Sequence, residues 1–314
     1  MNGLSNKIFK IGLSGLVVLG LMIVGACAGN TTVASDTSLE DRGYASTARL
    51  VSTEWVANNL DNENVVIIDI RKAENYDAGH LPGALHYSYK ELQVETDGVA
   101  GMIPPGDTIA AKLSSLGVSP SDTIIIYDHI KNLWSTRFLW TLDVYGHQDA
   151  RLMDGAIALW ESEGREVDTI LPEISENSYE FTSDPNENLI ASLDETLATI
   201  GDPTKLVLDT RSADEYAGRN VRSERGGHIP ESVHVEWVQN HAEDGTFLSA
   251  EELSKVYTAA AVGTDQDIYT LCQTAVRATD SWFVLSDLLG YENVAVYDGS
   301  WAEWGNREDT PIDS

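Results

Sequence analysis

The stretch "DIYTLCQTAVRATDSWFVLSDLLGYENVAVYDGSWAEWGN", residues 267–306, has a near-copy earlier in the chain: "TIIIYDHIKNLWSTRFLWTLDVYGHQDARLMDGAIALWES", residues 123–162. Asp128, Gly146, Asp154, Gly155 and Trp160 correspond to Cys272, Gly290, Asp298, Gly299 and Trp304, each 144 residues later. Upstream, "VVIIDIRKAENYDAGHLPGALHY" (65–87) recurs as "LVLDTRSADEYAGRNVRSERGGHIPESVHV" (206–235). Asp69 and Arg71 match Asp209 and Arg211 at a spacing of 140, whereas His80 and Pro82 match His228 and Pro230 at 148, so the second copy carries eight extra residues between them. Five matches at one offset identify a tandem duplication.

Within each copy, short continuous apolar runs ("VVIID", "TIIIY", "LVLD", "DIYTL") read as buried parallel strands. Helix-like segments alternate with them: the end of "SLEDRGYASTARLVSTEWVANNL", then "GDTIAAKLSSLGV", "TRFLWTLDVYG" and "ATDSWFVLSDLLGY", several stopping at a glycine. Strand–helix alternation predicts an α/β fold of two domains, each a mostly parallel β-sheet with helices on both faces. The acidic, Pro- and Asn-bearing stretch "LPEISENSYEFTSDPNENLI" joins the copies, which places the boundary near 180: residues 46–178 form the first domain and 179–314 the second.

Apolar residues make up 42% of the 314-residue chain, enough for packed cores. The formal charge of −30, from 50 acidic and 20 basic residues, argues against a nucleic-acid partner, since phosphate binding needs clustered Lys and Arg. It also opposes the approach of small anions unless a local basic patch or high salt offsets the field. Salt adaptation and an ordinary exported protein both account for so acidic a surface.

The N-terminus has the pattern of an export signal. Lys7 and Lys10 precede an apolar segment, Ile11 to Val24, that is short for a membrane span of about 20 residues. Val24-Gly25-Ala26-Cys27 resembles the lipobox of prokaryotic lipoproteins, which implies lipidation of Cys27; a plain signal peptide cut at another bond is the alternative. Residues 1–26 then form the signal peptide and the small, polar residues 27–45 a tether. The chain is expected to be exported and held to the cell membrane by its lipid, facing a periplasm or the exterior. With Cys27 acylated, Cys272 is the sole thiol and no intramolecular disulfide is possible.

The ordered set Asp-x-Arg after a strand, Gly-His-[Ile/Leu]-Pro, a strand ending in Cys, and "YDGSWAEW" resembles the rhodanese domain. The likeness covers roughly residues 48–308, with Glu231 where the family usually has Gly. It implies a two-domain sulfurtransferase in which only the second domain carries the catalytic cysteine. In the first domain Asp128 stands at the Cys272 position and Leu133 at the Arg277 position, so that domain is expected to pack and to shape the interface cleft.

Sulfane-sulfur transfer needs a thiolate that takes sulfur from a donor, holds it as a persulfide and surrenders it to a thiophilic acceptor. A free cysteine titrates at about 8.5, so the site must favour the anion. At a strand-to-helix turn the backbone N–H groups of Gln273, Thr274, Ala275, Val276 and Arg277 can converge on one point, and the following helix adds its positive end. Arg277 can close the loop or meet the donor's charge.

Four of the twelve arginines, Arg211, Arg219, Arg222 and Arg225, fall in "RSADEYAGRNVRSER". Arg225, Arg222 and Arg219 are candidate donor contacts, unless Asp214, Glu215 and Glu224 neutralise them on a solvated face. Asp209 and Arg211, repeated as Asp69 and Arg71 in the thiol-free copy, read as a structural ion pair near the site. His228, repeated as His80, reads as part of a turn rather than a general base. No metal-ligand spacing, phosphate loop or dinucleotide fingerprint is present, so neither metal nor cofactor is expected.

The donor expected is a small anion, thiosulfate before 3-mercaptopyruvate. The loop "CQTAVR" matches neither the "CRKGVT" that accompanies thiosulfate enzymes nor the "CG[SA]GVT" of mercaptopyruvate enzymes, but resembles a bacterial group classed with the former. Glu215 stands where mercaptopyruvate enzymes carry a donor-binding arginine. A non-enzymatic persulfide carrier or sensor shares the same half-reaction. Rhodanese-like phosphatases and arsenate reductases place five residues between Cys and Arg; here four intervene.

Overall fold

The computed structural model describes residues 33–314. The lipidation site expected at Cys27, and the signal segment before it, lie outside the described residues. No helix among those described is long and apolar enough to cross a membrane.

The first domain runs β1 (Leu50–Val51), α1 (Thr53–Asn58), β2 (Val65–Asp69), α2 (Ala73–Ala78), β3 (Leu85–His86), a hairpin of β4 (Val94–Thr96) and β5 (Val99–Met102), α3 (Gly106–Ser115), β6 (Thr123–Tyr127), α4 (Leu133–Val144), β7 (Ala150–Met153) and α5 (Ala156–Ser162). The second runs β8 (Ile190–Ala191), α6 (Leu193–Leu197), β9 (Lys205–Asp209), α7 (Ala213–Tyr216), β10 (Val233–His234), α8 (Ala250–Ala259), β11 (Asp267–Leu271), α9 (Val276–Phe283), β12 (Val294–Tyr297) and α10 (Ser300–Trp304). Strand order is β1-β7-β6-β2-β3 in one sheet and β8-β12-β11-β9-β10 in the other, the same topology twice. Every pairing within these two sheets is parallel. The apolar runs form the strands as expected; in β6 all five residues are buried, the mark of a central strand covered on both faces. After α9, Val284–Leu288 open into a wider π turn.

Each sheet has its own outer apolar layer, built around Trp160 in the first domain and Trp301 and Trp304 in the second. The inner layers merge: Phe138 and Trp140 of α4 share one core with Trp282 and Phe283 of α9. The two helices that follow the Asp128 and Cys272 turns therefore pack against each other, with Thr136 Oγ1 3.3 Å from Thr279 Oγ1.

One connecting segment differs from its sequence reading. Residues 33–45, expected within a polar tether, lie on the folded body. Leu39 joins the shared core, the Tyr44 hydroxyl donates to the Leu248 carbonyl at 2.9 Å, and Ala45 N–H donates to Leu288 O at 2.8 Å. The physical reason is the sparse but well-spaced apolar content of this stretch. Polar groups complete the docking: Asp36 accepts from Ser52, Arg151 donates to the Val33 and Ala34 carbonyls, and Arg42 donates to Phe247 O, none of which composition alone reveals. The acidic joining stretch is likewise held: Tyr179 is buried and hydrogen-bonds His147 Nδ1 at 2.8 Å.

Candidate active site

Cys272 follows β11 directly and is 1% exposed. The strand ends there because the chain must turn before α9 starts at Val276, and Ala275 makes that turn in the left-handed region with φ +61°. That conformation costs a residue with a Cβ on the order of 1 kcal/mol, a strain glycine avoids. An Ala275→Gly variant is expected to unfold at higher urea concentration, with a gain of about 1 kcal/mol read by equilibrium denaturation.

The turn is gripped from the next loop. Ser300 Oγ accepts from the N–H of Cys272 at 3.2 Å and of Ala275 at 3.1 Å, and its hydroxyl donates to Tyr297 O at 2.8 Å. Trp301 N–H donates to Cys272 O at 3.0 Å and Ala302 N–H to Gln273 O at 2.8 Å. The expected convergence of all five loop N–H groups on the thiol is thus corrected: the Ala275 N–H is committed to a side-chain oxygen. Ser300 escaped the sequence reading, although the comparison of copies carries its signal, since the same position in the first domain is Ala156.

The first domain shows what the turn can hold. The Asp128 carboxylate, fully buried, accepts four backbone N–H bonds: Ile130 at 2.7 Å and Asn132 at 3.0 Å on Oδ1, Trp134 at 2.7 Å and Ser135 at 3.2 Å on Oδ2. Burial pushes its proton affinity up, and these bonds oppose that push. By the 144-residue register the equivalent donors around Cys272 are Thr274, Val276, Ala278 and Thr279. Thr279 N–H is taken by Ala275 O at 3.1 Å; the N–H groups of Thr274, Val276 and Ala278 meet no protein acceptor among the described residues. Gln273 serves elsewhere: its Nε2 donates to Ser223 Oγ at 3.1 Å and holds the eight-residue insertion against the loop.

Arg277 is bidentate on Glu215, Nη1 to Oε2 at 2.6 Å and Nη2 to Oε1 at 3.0 Å. Burial disfavours its charge, but Glu215 and the neighbouring Cys272 sulfur outweigh that and hold the guanidinium protonated. Burial likewise works against the Glu215 carboxylate, yet Arg277 and the Ser212 cap bring it down to about 2 from an ordinary 4.5. Between those two pH values the folded state binds fewer protons than the unfolded chain, so the pair stabilises fully above about 4.5 and loses its contribution as the pH falls toward about 2. In urea titrations the stability gap between the parent and Glu215→Gln is expected to be constant from neutral pH to about 4.5 and to close on further acidification.

The candidate donor arginines separate. Arg222 Nη1 donates to Glu215 Oε1 at 3.2 Å with its side chain 52% exposed, so this guanidinium stands beside the Arg277–Glu215 pair. Arg219 pairs with Asp214 on the solvated surface. Arg225 is corrected from a donor contact to a tail anchor: its guanidinium donates to the carbonyls of Trp304 and Thr310 and to the Thr310 hydroxyl. Its two terminal nitrogens bridge the start and the end of the C-terminal turn, at Trp304 and Thr310.

Asp209 and Arg211 form a buried fork-to-fork pair, Nη2 to Oδ2 at 2.6 Å, and the same Nη2 donates to Gly227 O at 2.7 Å. Asp69 and Arg71 repeat it in the thiol-free domain, at 2.6 Å and, to Gly79 O, 2.6 Å. Arg211 also lies over the Trp301 ring, 4.0 Å from its centre. His80 and His228 are equally alike: each stacks on a tyrosine, Tyr76 or Tyr216, at 3.9 Å and bonds that tyrosine's carbonyl through Nδ1.

One parallel α/β domain is used twice, with a cysteine in one copy at the head of a turn that holds a carboxylate in the other. The Rhodanese-like domain model matches residues 52–163 and 192–307. The chain belongs to the rhodanese family. It is 37% identical over 275 residues to a Saccharopolyspora erythraea protein provisionally named a thiosulfate sulfurtransferase, covering 84% of this chain and 96% of that one. It is 35% identical over 282 residues to the sulfur carrier protein TtuD of Thermus thermophilus, covering 86% and 98%. It is 32% identical over 282 residues to the thiosulfate sulfurtransferase of Corynebacterium glutamicum, covering 86% and 92%. Among solved structures, an anaerobic ergothioneine biosynthesis enzyme from Chlorobium limicola shares the fold, with TM-score 0.77 and 21% identity over 86% of this chain and 71% of that one.

Proposed function

We propose that the second domain takes thiosulfate as its donor and carries the sulfur on Cys272. The observation that carries this reading is the Asp128 carboxylate, held by backbone N–H groups at the very position Cys272 occupies in the other copy. The equivalent N–H groups of Thr274, Val276 and Ala278 are free to receive a thiolate, a persulfide or the donor's oxygens. The N-terminal end of α9 adds its dipole. These donors act within a few ångströms of the sulfur, whereas the distant charges that make up the −30 total are screened over about 8 Å at physiological salt. The local field therefore decides.

The Cys272 thiolate attacks the sulfane sulfur of thiosulfate; a new S–S bond forms, the old one breaks, and sulfite leaves with the bonding electron pair. The acceptor's lone pair then takes the outer sulfur, and the Cys272 thiolate is returned with the electrons of the cleaved bond. Three negative charges enter the first step and three leave it, so the loop needs no proton transfer to run it.

The choice of thiosulfate over 3-mercaptopyruvate is supported by Glu215. A planar carboxylate donor is best recognised by an arginine fork. Both terminal nitrogens of Arg277 are already bound to Glu215. Single N–H donors suit the tetrahedral sulfonate end of thiosulfate equally well.

Incubation with thiosulfate, followed by intact mass and peptide mapping, should place one added sulfur on the Cys272 peptide. Subsequent cyanide should yield thiocyanate and restore the original mass. An unchanged mass overturns the Cys272 assignment. Faster turnover of 3-mercaptopyruvate than of thiosulfate overturns the donor. Persulfide formation without release to cyanide would instead favour the carrier role that the name of the Thermus relative expresses.

A further inference from the structure

The Cys272 loop is held in part by residues of the first domain, through a side-chain circuit that the Asp128 turn does not repeat; there Lys131 Nζ donates to Ala242 O at 2.8 Å instead. Gln93 follows the short 3-10 turn Tyr89–Leu92, and its Nε2 donates to Thr274 O at 2.9 Å and to Gly101 O at 3.2 Å. Gly101 lies in β5 with φ +89°, and a Cβ there would stand 2.5 Å from Thr274 Cβ, so the β4–β5 hairpin rests directly on the loop. Arg137 of α4, fully buried, donates through Nη2 to the same Gly101 carbonyl at 3.1 Å and through Nη1 to Asp298 Oδ1 at 2.7 Å. The other oxygen of Asp298 accepts the Ile103 N–H at 2.7 Å. Asp298 directly precedes Gly299 and Ser300, and Ser300 binds the N–H groups of Cys272 and Ala275.

The result is a closed circuit across the domain boundary: Thr274 O, Gln93, Gly101 O, Arg137, Asp298, Ser300 and back to Cys272. The other half of the duplication lacks it. Asp154, the counterpart of Asp298, keeps the equivalent backbone bond, from Phe247 N–H at 3.0 Å. By the same 144-residue register the counterpart of Arg137 is Ser281. The residue after the matching 3-10 turn, Trp237–Asn240, is His241, whose Nε2 meets Asp280 at 2.8 Å inside its own domain. The backbone bond is thus common to both sides and serves packing. Asp154 does meet a guanidinium, Arg42 Nη1 at 3.7 Å, but that arginine lies in the segment before β1 and bonds the Phe247 carbonyl; the links from Gln93 and Arg137 are made only on the thiol-bearing side.

We propose that Gln93 and Arg137 are positioning residues of the sulfur-transfer reaction, through which the first domain sets the loop that carries Cys272. Arg137 acts through Asp298 and Ser300, Gln93 through the Thr274 carbonyl. The inference rests on Cys272 being the nucleophile. The thiol-free domain thereby takes part in the chemistry, by fixing the directions of the Thr274 and Val276 N–H groups that receive charge as sulfur moves.

The test uses the full chain with thiosulfate and cyanide, comparing Gln93→Leu, Arg137→Met and Arg137→Lys with the parent. Loss of the amide link or the guanidinium is expected to lower kcat roughly 10- to 100-fold with the donor KM changed less than about threefold, because misplacement of reacting groups by about 1 Å carries such a penalty. Arg137→Lys, which keeps a charge opposite Asp298, should recover most of the lost rate. Near-parental kcat in folded Gln93→Leu, whose partly exposed site tolerates the change, overturns the proposal, as does an Arg137→Lys protein no faster than Arg137→Met. Should Arg137→Met fail to fold, Gln93→Leu alone decides. The reading beneath it fails differently: there the parent itself would take up no sulfur on Cys272.

Discussion

A Cys272→Ser variant is expected to fold like the parent and to transfer no sulfur. Serine is nearly isosteric with cysteine, and the oxygen would sit in the same turn against the same N–H groups. Stability should therefore change little in urea titrations. The chemistry, however, needs a sulfur nucleophile able to hold a second sulfur, and a hydroxyl supplies neither the anion nor the S–S bond. Thiocyanate production should drop more than about 1000-fold, to the background of the uncatalysed reaction. Mass spectra after thiosulfate treatment should show no added sulfur on residues 33–314, because they contain no other cysteine. Retention of activity would remove Cys272 from the mechanism.

The second large effect is on stability rather than rate. Asp209→Ala removes the partner of Arg211, whose side chain is 2% exposed, and leaves that charge without its carboxylate in the protein interior. Breaking a buried pair from one side in this way costs about 3–5 kcal/mol. Asp69→Ala should cost a similar amount in the first domain, since the Arg71–Asp69 contact has the same 2.6 Å length as the Arg211–Asp209 contact. Matching losses from the two variants in equilibrium unfolding would mark the pair as a fold element used twice. A large loss confined to activity, and only in Asp209→Ala, would make it part of the chemistry instead. The structure favours the first outcome, because both arginines spend the same Nη2 on the carbonyl of the glycine before the histidine, Gly79 or Gly227.

The fold is legible in the sequence because its signals are local and doubled. Short β-rich apolar runs such as "TIIIY" and "DIYTL" read as strands, and the repeat turns each uncertain segment into two readings of one element. The Cys272 position is legible for the same reason: a residue that breaks an otherwise faithful repeat stands out, as the Asp128/Cys272 exchange does. Ser300 breaks it too, against Ala156, but a serine for alanine carries no chemistry until its hydroxyl is seen between two loop N–H groups.

The arginines show where local reading stops. Four of them within fifteen residues look like one basic patch in the sequence, yet their guanidinium groups find separate partners. Arg211 turns inward to Asp209, Arg219 meets Asp214 at the surface, Arg222 reaches Glu215 and Arg225 captures the C-terminal turn. Residues 33–45 make the same point, since a polar composition did not prevent docking across the domain junction.

The sequence by itself determined that the chain is a duplicated parallel α/β protein, that one copy alone bears a thiol, and that the thiol heads a strand-to-helix turn. These follow from periodicity and register, which are properties of neighbours along the chain. Only the tertiary structure decided which groups surround that thiol: Glu215 on Arg277, Ser300 under the turn, Gln93 and Arg137 from the other domain. Their partners lie 25 to 181 residues away along the chain. Hydrogen bonds and ion pairs act over a few ångströms of space; the pairing of β9, β11 and β12 brings Glu215 and Ser300 within that range, and the packing of α4 on α9 brings the first domain.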